Sequence, residues 1–529
     1  MPDKNKNATR TDITPISYGQ LAILIAVFIA AISLRLYFAW QIVNPGHGDP
    51  AYYMSLAKNL ASGQGFVIDY IWHFLTPWQS LTHYANDFWM PLTSVIISTF
   101  LILFGKSLLV ALLPSMIFGA GLALVTYFWA LHYTNSSRIA SWSTVLCLFA
   151  PVLFKYSLIT DSSIYYAFFA AIIFLLIAKT DRQPWLMMAA SIFAGLAQLC
   201  RQDGVLLMLT LLIMIYFMPY ERHLKLKIFF GSLILYLATL SPYFITNIIY
   251  TGRLFLSQTY VIAFVRSHDD IYSWGKDLSL GSYLHWGLAN IVSSKLHAIV
   301  DNSVAVFRSF GREFIIIPIL GLANLIFLRP FKTRPYYAWP PFVFFILVFL
   351  FYAFIATFPA QGGALFRTAM AIVPFAIILA VEFVIRYLNH KYISNSILLL
   401  ILVAAIFGSV RFSSIMAVSD RQMQNELSDI GRIIRTEGNN NQEPIIMTRD
   451  PWEVNYTTGL RAVMIPNNDL NTIYYVAIKY HANYLLLPAP RKALQKIYDG
   501  QKSDPRFEFW RDIPNSDYRL FKIVTIGKS

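Results

Sequence analysis

The chain has 529 residues, of which 57% are hydrophobic and only 13% are charged, and its mean hydropathy is +0.52. This composition excludes an ordinary soluble globular protein and predicts a polytopic membrane protein. The net charge of +14 lies largely in short loops between apolar runs. Membrane topology and anionic lipid headgroups explain such charges without a nucleic-acid partner.

Hydrophobic runs long enough to cross a bilayer recur along most of the chain. An α-helix needs about 20 apolar residues to span the hydrocarbon core. The first run, Ala22–Trp40, is too long for a signal-peptide core and lacks a small-residue cleavage site, so we interpret it as a retained span. The predicted spans, about 11 in all, lie near residues 18–40, 107–131, 139–157, 162–179, 184–200, 204–219, 226–250, 312–328, 336–357, 368–386 and 393–415.

One further apolar run, Pro91–Phe104, is short, and its placement decides the sidedness of the chain. If it does not span, the basic loop residues all lie on one side, which is the cytoplasmic side by the positive-inside rule. We therefore predict a re-entrant or interfacial helix within a long outer loop, residues 41–106. The basic residues concerned are Lys4, Lys6, Arg10, Arg138, Lys179, Arg182, Arg222, Lys225, Lys227, Arg329, Lys332, Arg334, Arg386 and Lys391.

The composition changes near residue 416. A charged segment with helical spacing, Asp420–Glu437, is followed by a predicted turn at Gly438–Asn441. Strand-like runs come next, with one helical pattern at Asn471–His481 between them. These runs lie at Ile445–Thr448, Leu460–Ile465, Tyr484–Leu487 and Leu520–Ile526. The chain thus divides into a transmembrane domain, residues 1–415, and a small outer α/β domain, residues 416–529, of usual domain size.

The segment Gly46–Tyr53, with the sequence Gly-His-Gly-Asp-Pro-Ala-Tyr-Tyr, is the most informative stretch. It places Asp49 just beyond the first span, in a turn whose glycines and prolines can hold a side chain close to a substrate. An ordinary loop aspartate that caps the next helix explains Asp49 alone about as well. Its position at the membrane surface favours a base that acts on a lipid-borne substrate.

Several motifs, in order, resemble the GT-C glycosyltransferases, and the nearest group is the bacterial protein-mannosyltransferase-like family 39 with its aminoarabinose-transferase relatives. The resemblance spans residues 20–390, and residues 449–460 resemble tails found on some bacterial members. The motifs are Gly48–Tyr53, Leu56–Phe66, Trp89–Leu92, Gly195–Gly204, Ser241–Asn247 with Gly252, and Gly362–Arg367 with Pro374. The resemblance implies a polytopic GT-C fold in a bacterial inner membrane, with the C-terminal domain extracytoplasmic.

The same resemblance implies that an acidic residue of the first loop is the catalytic base. Asp49 matches the first acid of that motif, but Pro50 replaces the second, so a two-carboxylate variant is in doubt there. A further acid usually lies at the outer turn before the fourth span, and Asp161 matches it by position. Capping of the helix that follows is an equal alternative for Asp161, and both roles are compatible.

A phosphate-linked sugar donor also needs cations near the base. Arg35, Arg201 and Arg367 are the outer-side candidates, and each hydrogen bond from a cation to phosphate contributes roughly 1.5–3 kcal/mol. Snorkelling is the alternative for Arg35, an ion pair with Asp203 for Arg201, and interfacial anchoring for Arg367. We favour Arg367 as the strongest phosphate ligand.

Other residues of the outer loops are weaker candidates. His47 and Tyr53 flank Asp49 and are candidate substrate contacts, although a solvated loop position suits His47 better than a metal ligand. Aromatic residues of the first loop either stack on a sugar or belong to an interfacial belt. Loop 251–311 is a candidate mobile cover, and the turn Asp450–Glu453 either reaches the acceptor or is structural.

Together these features predict an inverting glycosyltransferase that moves a hexosyl or pentosyl group from a polyprenyl-phosphate sugar to an acceptor hydroxyl at the outer face. The acceptor, whether protein, lipid or polysaccharide, and a divalent-cation requirement stay open. One alternative is a transporter or flippase of lipid-linked sugars, although the chain shows no internal repeat. Another is a non-catalytic scaffold that presents the C-terminal domain.

Overall fold

The structure is a computed structural model that describes residues 17–180, 183–256, 261–333, 335–358, 363–438 and 443–525. The other residues include several that the sequence interpretation used. Outside the described residues lie Lys4, Lys6, Arg10, Arg182, Arg334, Gly362, Asn439, Asn440, Asn441 and Ile526.

Helices form the first half of the chain, and each predicted span up to residue 250 is helical. One run, 139–157, is interrupted by a short break after α5, which gives the six-residue α6. The elements are α1 Tyr18–Gln41, α2 Asp49–Ala61, β1 Val67–Ile68, β2 Tyr70–Ile71, β3 His83–Tyr84, α3 Leu92–Phe104, α4 Leu108–Thr134, α5 Ser137–Leu148, α6 Pro151–Tyr156, α7 Ser163–Ala178, α8 Leu186–Cys200, α9 Val205–Phe217 and α10 Arg222–Thr251.

The second half adds the remaining helices and the strands of the C-terminal part. A π-helical turn, Phe351–Ile355, follows α15 directly. The elements are α11 Leu280–His285, α12 Leu288–Arg308, α13 Ile316–Phe327, α14 Pro330–Thr333, α15 Pro335–Leu350, α16 Ala364–Ala369, α17 Val373–Leu388, α18 Lys391–Glu437, β4 Ile445–Thr448, α19 Pro451–Thr458, β5 Arg461–Met464, α20 Leu470–Lys479, β6 Tyr484–Leu487, α21 Lys492–Tyr498, β7 Phe507–Asp512 and β8 Arg519–Ile523.

Among the described residues, six helices are long and apolar enough to cross a membrane, or seven if a bent pair is one span. That pair joins α12 to Arg312–Phe327 at an angle of 81°. Shorter apolar helices account for the predicted runs 162–179, 184–200 and 204–219. The run 139–157 is formed by α5 and α6. The prediction of a polytopic α-helical membrane protein with a C-terminal α/β domain is therefore confirmed, and the sequence analysis missed α12.

Helix α3 corresponds to the short run that was predicted not to span. Its 13 residues rise about 20 Å, which is less than the roughly 30 Å of a hydrocarbon core. Its inner face is buried, whereas Ile102, Leu103 and Phe104 at its end are exposed. The length agrees with an interfacial helix, and its placement in a membrane stays a prediction.

The membrane helices share one aromatic-rich core. Trp129 of α4 is fully buried between Phe174 of α7 and Phe375 of α17, with ring centroids 5.6 and 5.5 Å away. Aromatic pairs at this spacing add specific stabilisation to their buried area. This core packs α4, α7 and α17 against one another.

The C-terminal sheet contains one strand from the first outer loop. Its order is β2–β5–β4–β6–β8–β7, and β2 pairs in parallel with β5 through Tyr70 with Ala462 and Ile71 with Val463. Residues of the first loop and of the C-terminal part also share one buried hydrophobic cluster. The two segments therefore form a single packed unit, although some 400 residues separate them in the chain.

Helix α18 connects this unit to the membrane helices without a break. It has 47 residues, about 70 Å at 1.5 Å per residue, and runs through the predicted domain boundary at residues 415–416. The segment 261–287 is hydrogen-bonded to the same unit. The Trp274 amide donates to Asn468 Oδ1 at 2.8 Å, and the Asn467 amide donates to the Tyr272 carbonyl at 2.9 Å.

Candidate active site

Asp49 is the first residue of α2, and the backbone before it is glycine-dependent. Gly46 has φ +116°, and a Cβ there would lie 2.9 Å from the Cβ of Pro50. The N-cap is Gly48, with φ 72°, so no side chain caps the helix. Asp49 is therefore not the capping residue, and its carboxylate is free to face the interior. The position also suits a negative charge, since the positive end of the helix dipole lies there.

Glu453 of α19 holds the loop that precedes Asp49. Its Oε1 lies 2.6 Å from His47 Nδ1 and accepts a hydrogen bond from the Gly48 amide. The His47 side chain is 60% exposed, whereas that of Glu453 is 1% exposed. His47 thus points away from the site, toward the C-terminal unit. The turn Asp450–Glu453 acts on the loop that carries Asp49.

The contact with Glu453 raises the pKa of His47 to about 9. A pKa raised by folding gives stability that is complete below the unfolded value, near 6.5, and is lost as the pH rises through 9. We therefore expect His47→Gln to lower the melting temperature at pH 6 and to have no effect near pH 10. Because His47 is mostly exposed, the effect is about 1 kcal/mol or less. A melting-temperature difference that is constant from pH 6 to pH 10 would contradict this assignment.

Arg367 bridges the two predicted acids. Its Nη1 lies 2.7 Å from Asp49 Oδ2, and its Nε lies 3.5 Å from Asp161 Oδ2. The side chains of Arg367 and Asp49 are each 19% exposed, and that of Asp161 is fully buried. The structure thus brings together three residues that the sequence analysis selected. In the chain, Arg367 lies 318 residues after Asp49 and 206 residues after Asp161.

Asp161 also stabilises the start of α7. Its Oδ1 accepts hydrogen bonds from the Ser163 amide at 2.7 Å and from the Ser163 hydroxyl. Both roles that the sequence left open are therefore present: contact with the start of the helix and contact with the site. Its Oδ2 faces Arg367, so this carboxylate orients the guanidinium.

Arg201 is held by a different carboxylate. Its Nε and Nη2 lie 3.2 Å from the two oxygens of Asp203, the ion pair that the sequence offered as an alternative. The turn requires glycine at position 204, because a Cβ there would lie 2.4 Å from the backbone of Gln198. Asp203 also accepts a hydrogen bond from the Tyr352 hydroxyl at 2.6 Å and one from the Thr368 hydroxyl.

A cavity of about 300 Å³ lies between the ends of the membrane helices, the loop after α1 and the segment 261–287. Asp49, Arg201 and Arg367 line it, together with Tyr53, which lies one turn after Asp49 on α2. Aromatic side chains form much of the remaining wall, among them the stacked pair Trp72 and Trp89, with centroids 4.1 Å apart. The aromatic residues at the wall are Tyr53, Trp72, Phe88, Trp89, Tyr272, Phe351 and Tyr352.

Arg35 lies outside the residues that line this cavity. It is 1% exposed and donates to Ser157 Oγ, the Leu148 carbonyl and the Ala31 carbonyl at 2.9, 2.7 and 3.2 Å. Its guanidinium also lies 4.4 Å from the centroid of the Phe154 ring. The Arg35 side chain therefore does not snorkel. Its partners belong to its own helix and to the segment that contains α5 and α6. The structure thus gives Arg35 a packing environment rather than a place near Asp49.

Burial raises the pKa of Asp49, and the adjacent Arg367 opposes that rise. A carboxylate whose pKa is raised in this way is a stronger base than an exposed one. Electrostatically the site is therefore suited to accept a proton.

A divalent cation does not fit the carboxylates of this site. Asp49 and Asp161 both face the Arg367 guanidinium, which occupies the position between them. The described part of the chain holds no group of three or more His, Cys, Asp or Glu that could bind a metal ion. Mg²⁺ and Ca²⁺ require several oxygen ligands, and here both acids already contact the guanidinium of Arg367.

The chain is similar to a known protein family and to several solved structures. Residues 90–245 match the family model described as dolichyl-phosphate-mannose-protein mannosyltransferase. ArnT from Cupriavidus metallidurans bound to undecaprenyl phosphate superposes with a TM-score of 0.59 at 13% identity, over 96% of this chain and 99% of that one. The chain shares the fold of the GT-C membrane glycosyltransferases. The resemblance stated from the sequence is thereby confirmed.

A second GT-C structure superposes almost as well. The archaeal oligosaccharyltransferase AglB from Archaeoglobus fulgidus, in complex with an inhibitory peptide and a dolichol-phosphate, gives a TM-score of 0.56 at 15% identity. The alignment covers 89% of this chain and 69% of AglB. No curated protein matches the chain in sequence. At these identities the structures establish the shared GT-C fold of a multi-pass membrane protein.

Sequence reasoning missed part of the site of this GT-C protein. Asp203 was named only as a partner of Arg201, and Tyr352 and Thr368 were not selected at all. Tyr352 lies in the π-helical turn, and such turns are frequent at functional sites. The run Phe342–Ile355 looks uniformly apolar in sequence, and only the folded chain shows that this one hydroxyl meets a buried carboxylate.

Proposed function

We propose that the protein is an inverting glycosyltransferase that moves a sugar from a polyprenyl-phosphate donor to an acceptor hydroxyl. The reaction takes place at the outer face of a bacterial inner membrane. The observation that carries the proposal is the pairing of the Asp49 carboxylate with Arg367. The pair lies in the cavity between the membrane helices and the loop after α1. Transfer of this kind needs both a base and a cation for phosphate on the same wall.

In the proposed reaction Asp49 accepts the proton of the acceptor hydroxyl. The acceptor oxygen attacks the anomeric carbon from the side opposite the phosphate, and the bond between that carbon and the phosphate oxygen breaks. The bonding electrons leave with the polyprenyl phosphate, whose charge Arg201 and Arg367 stabilise. A positioned base contributes about 10²–10⁴-fold to such a step. A single displacement gives a product of inverted anomeric configuration.

The surroundings of the two arginines support a phosphate site there. Arg201 and Arg367 line the same cavity, and their side chains are 10% and 19% exposed. Desolvated arginines bind phosphate more strongly than exposed ones, because little water competes for the guanidinium. Asp161 orients Arg367 between the base and the phosphate. The structure of ArnT holds undecaprenyl phosphate and that of AglB a dolichol-phosphate, which supports the same class of donor here.

The segment 261–287, which contacts the C-terminal part, contributes to the acceptor side of the cavity. Tyr272 and His268 line the wall and belong to segment 261–287, which the C-terminal strands and helices hold in place. The stacked rings of Trp72 and Trp89 offer an apolar surface on the same side. The acceptor thus enters between this segment and α2, and its protein, lipid or polysaccharide nature is set by the width of that opening.

Envelope analysis tests this function. In a strain that lacks the protein, mass spectrometry of envelope glycans should show the loss of one sugar substituent, and the wild-type chain should restore it. In proteoliposomes, the purified protein should release polyprenyl phosphate from a labelled polyprenyl-phosphate sugar when an envelope fraction from that strain is added. Movement of the labelled donor across the bilayer without transfer would instead identify a flippase.

A further inference from the structure

Asp203 joins three segments of the cavity wall. Its carboxylate is 5% exposed. It accepts hydrogen bonds from Arg201 in the turn after α8, from Tyr352 in the π-helical turn and from Thr368 in α16. Charged groups are rarely buried this completely unless they are paired and hydrogen-bonded. Here the donors come from one charged and two neutral groups, and they occupy both carboxylate oxygens.

The carboxylate holds one edge of the Arg201 guanidinium, and the other contacts of Arg201 are long ones to neutral oxygens. Nε and Nη2 form the two-pronged contact with Asp203, each at 3.2 Å. Nη2 also donates to the Thr368 hydroxyl at 3.3 Å and to the Ala364 carbonyl at 3.4 Å. Within the described part of the chain, Nη1 has one hydrogen-bond partner, the Ser162 hydroxyl, at the long distance of 3.4 Å. Ser162 is adjacent to Asp161, whose Oδ2 faces Arg367.

Arg367 offers less to an incoming anion. Its Nη1 contacts Asp49 at 2.7 Å and its Nε faces Asp161 at 3.5 Å. Both contacts are to carboxylates, which compete with a phosphate for the guanidinium. At Arg201 Nη1, a phosphate would displace only the long hydrogen bond to the neutral Ser162 hydroxyl. The first contact that an incoming phosphate makes is therefore expected at Arg201 rather than at Arg367, which the sequence analysis favoured.

Asp203 acts on the second arginine as well. The Thr368 hydroxyl that it binds belongs to the residue directly after Arg367. Thr368 also donates to the Ala364 carbonyl one turn earlier in α16, at 3.0 Å. A single carboxylate thus fixes the side chain of one arginine and the backbone that carries the other.

We infer that Asp203 is a positioning residue that presents Nη1 of Arg201 to the phosphate of a polyprenyl-phosphate ligand. This inference rests on the proposed function. Asp203 does not touch the reacting atoms, and it acts by fixing the guanidinium in the orientation that phosphate needs. Preorganised donors bind an anion without the cost of ordering a flexible side chain at the moment of binding.

The test is binding of undecaprenyl phosphate to the full-length protein in lipid nanodiscs. Asp203→Asn keeps the side-chain size but removes the charge that holds Arg201, and we expect the Kd to rise at least tenfold. Asp69→Asn is the matched control, because the Asp69 carboxylate binds the Thr82 hydroxyl at 2.6 Å and is not among the residues at the cavity wall. It should change the Kd less than threefold.

A double-mutant comparison separates positioning from general stability. If Asp203 works through Arg201, then Asp203→Asn should weaken binding in the wild-type background and have little further effect in Arg201→Gln. Equal weakening in both backgrounds would overturn the inference, as would wild-type affinity in Asp203→Asn. If Asp203→Asn does not fold, Asp203→Glu takes its place, since it keeps the charge and displaces the carboxylate by one methylene.

The outcome also distinguishes this inference from the proposed function. If the wild-type protein does not bind undecaprenyl phosphate at all, the proposed donor class is wrong, and the role of Asp203 falls with it. If the wild-type protein binds and Asp203→Asn binds equally well, only the role of Asp203 is overturned.

Discussion

Replacing Asp49 by asparagine is expected to lower the rate of sugar transfer by about 10²–10⁴-fold, because the amide cannot accept the proton of the acceptor hydroxyl. Asparagine has nearly the same volume, and the loop geometry depends on Gly46, Gly48 and Glu453 rather than on the Asp49 carboxylate. The folded protein should therefore persist. The measurement is the rate of polyprenyl phosphate release by the purified protein in the presence of acceptor.

A matched control for this variant lies in the same loop. Asp69 is also acidic, but its carboxylate binds the Thr82 hydroxyl at 2.6 Å and is not among the residues at the cavity wall. Asp69→Asn should keep a near-normal rate. A correctly folded Asp49→Asn protein with near-normal turnover would show that the base is another residue.

The pH dependence of the wild-type enzyme gives a second readout of the same residue. Burial raises the pKa of Asp49, and the base must be deprotonated to act. The rate should therefore fall as the pH drops through this raised pKa, and this acidic limb should disappear in the residual activity of Asp49→Asn. An acidic limb that persists unchanged in the variant would belong to another group.

Replacing Arg367 by glutamine is expected to have the second largest effect, a loss of about tenfold to more than a hundredfold in transfer rate. The lower bound follows from the loss of one charge-assisted hydrogen bond to phosphate, worth roughly 1.5–3 kcal/mol. In addition, Asp49 and Asp161 would lose the cation between them. The pKa of Asp49 should then rise further, so the acidic limb of the rate profile should move to higher pH.

Two further variants make this test specific. Arg367→Lys keeps the charge but cannot contact two carboxylates with a planar fork, so an intermediate loss is expected. Arg411→Gln removes an arginine from an exposed pair with Glu313 at 2.9 Å, and it should leave the rate unchanged. An Arg367→Gln enzyme whose rate profile keeps the wild-type acidic limb would contradict the pairing with Asp49.

The sequence predicted the membrane helices and the principal polar residues of the site for a physical reason. Continuous apolar runs identify spans directly, and a charge next to such a run is costly enough to stand out. Asp49, Asp161, Arg201 and Arg367 all lie at the outer ends of predicted helices. The structure places the four within one site, whereas Arg35 and His47 meet other partners.

The parts that the sequence did not predict depend on pairing between distant segments. Strand β2 has two residues, too few for an alternating pattern, and its partner β5 lies far along the chain. Similarly, nothing local to Asp203 indicates that Tyr352 and Thr368 will donate to it. Such contacts arise from tertiary packing, which local propensity does not encode.

Helix α12 was missed although a local signal was present. Its apolar residues Leu288, Val292, Leu296, Val300 and Val304 recur every four positions, and all are exposed. This spacing is typical of an amphipathic helix. The polar residues between them lower the mean hydropathy, so a search for continuous apolar runs passes over the segment.

The proposed chemistry requires that the loop that carries Asp49 faces away from the cytoplasm. His47 is suited to test this, because its side chain is 60% exposed and lies two residues before Asp49. The natural cysteines, Cys147 and Cys200, are buried and can be replaced by alanine to remove background. In intact spheroplasts, His47→Cys should then react with a membrane-impermeant maleimide. Reaction only after the membrane is opened would place the base on the wrong side for the proposed chemistry.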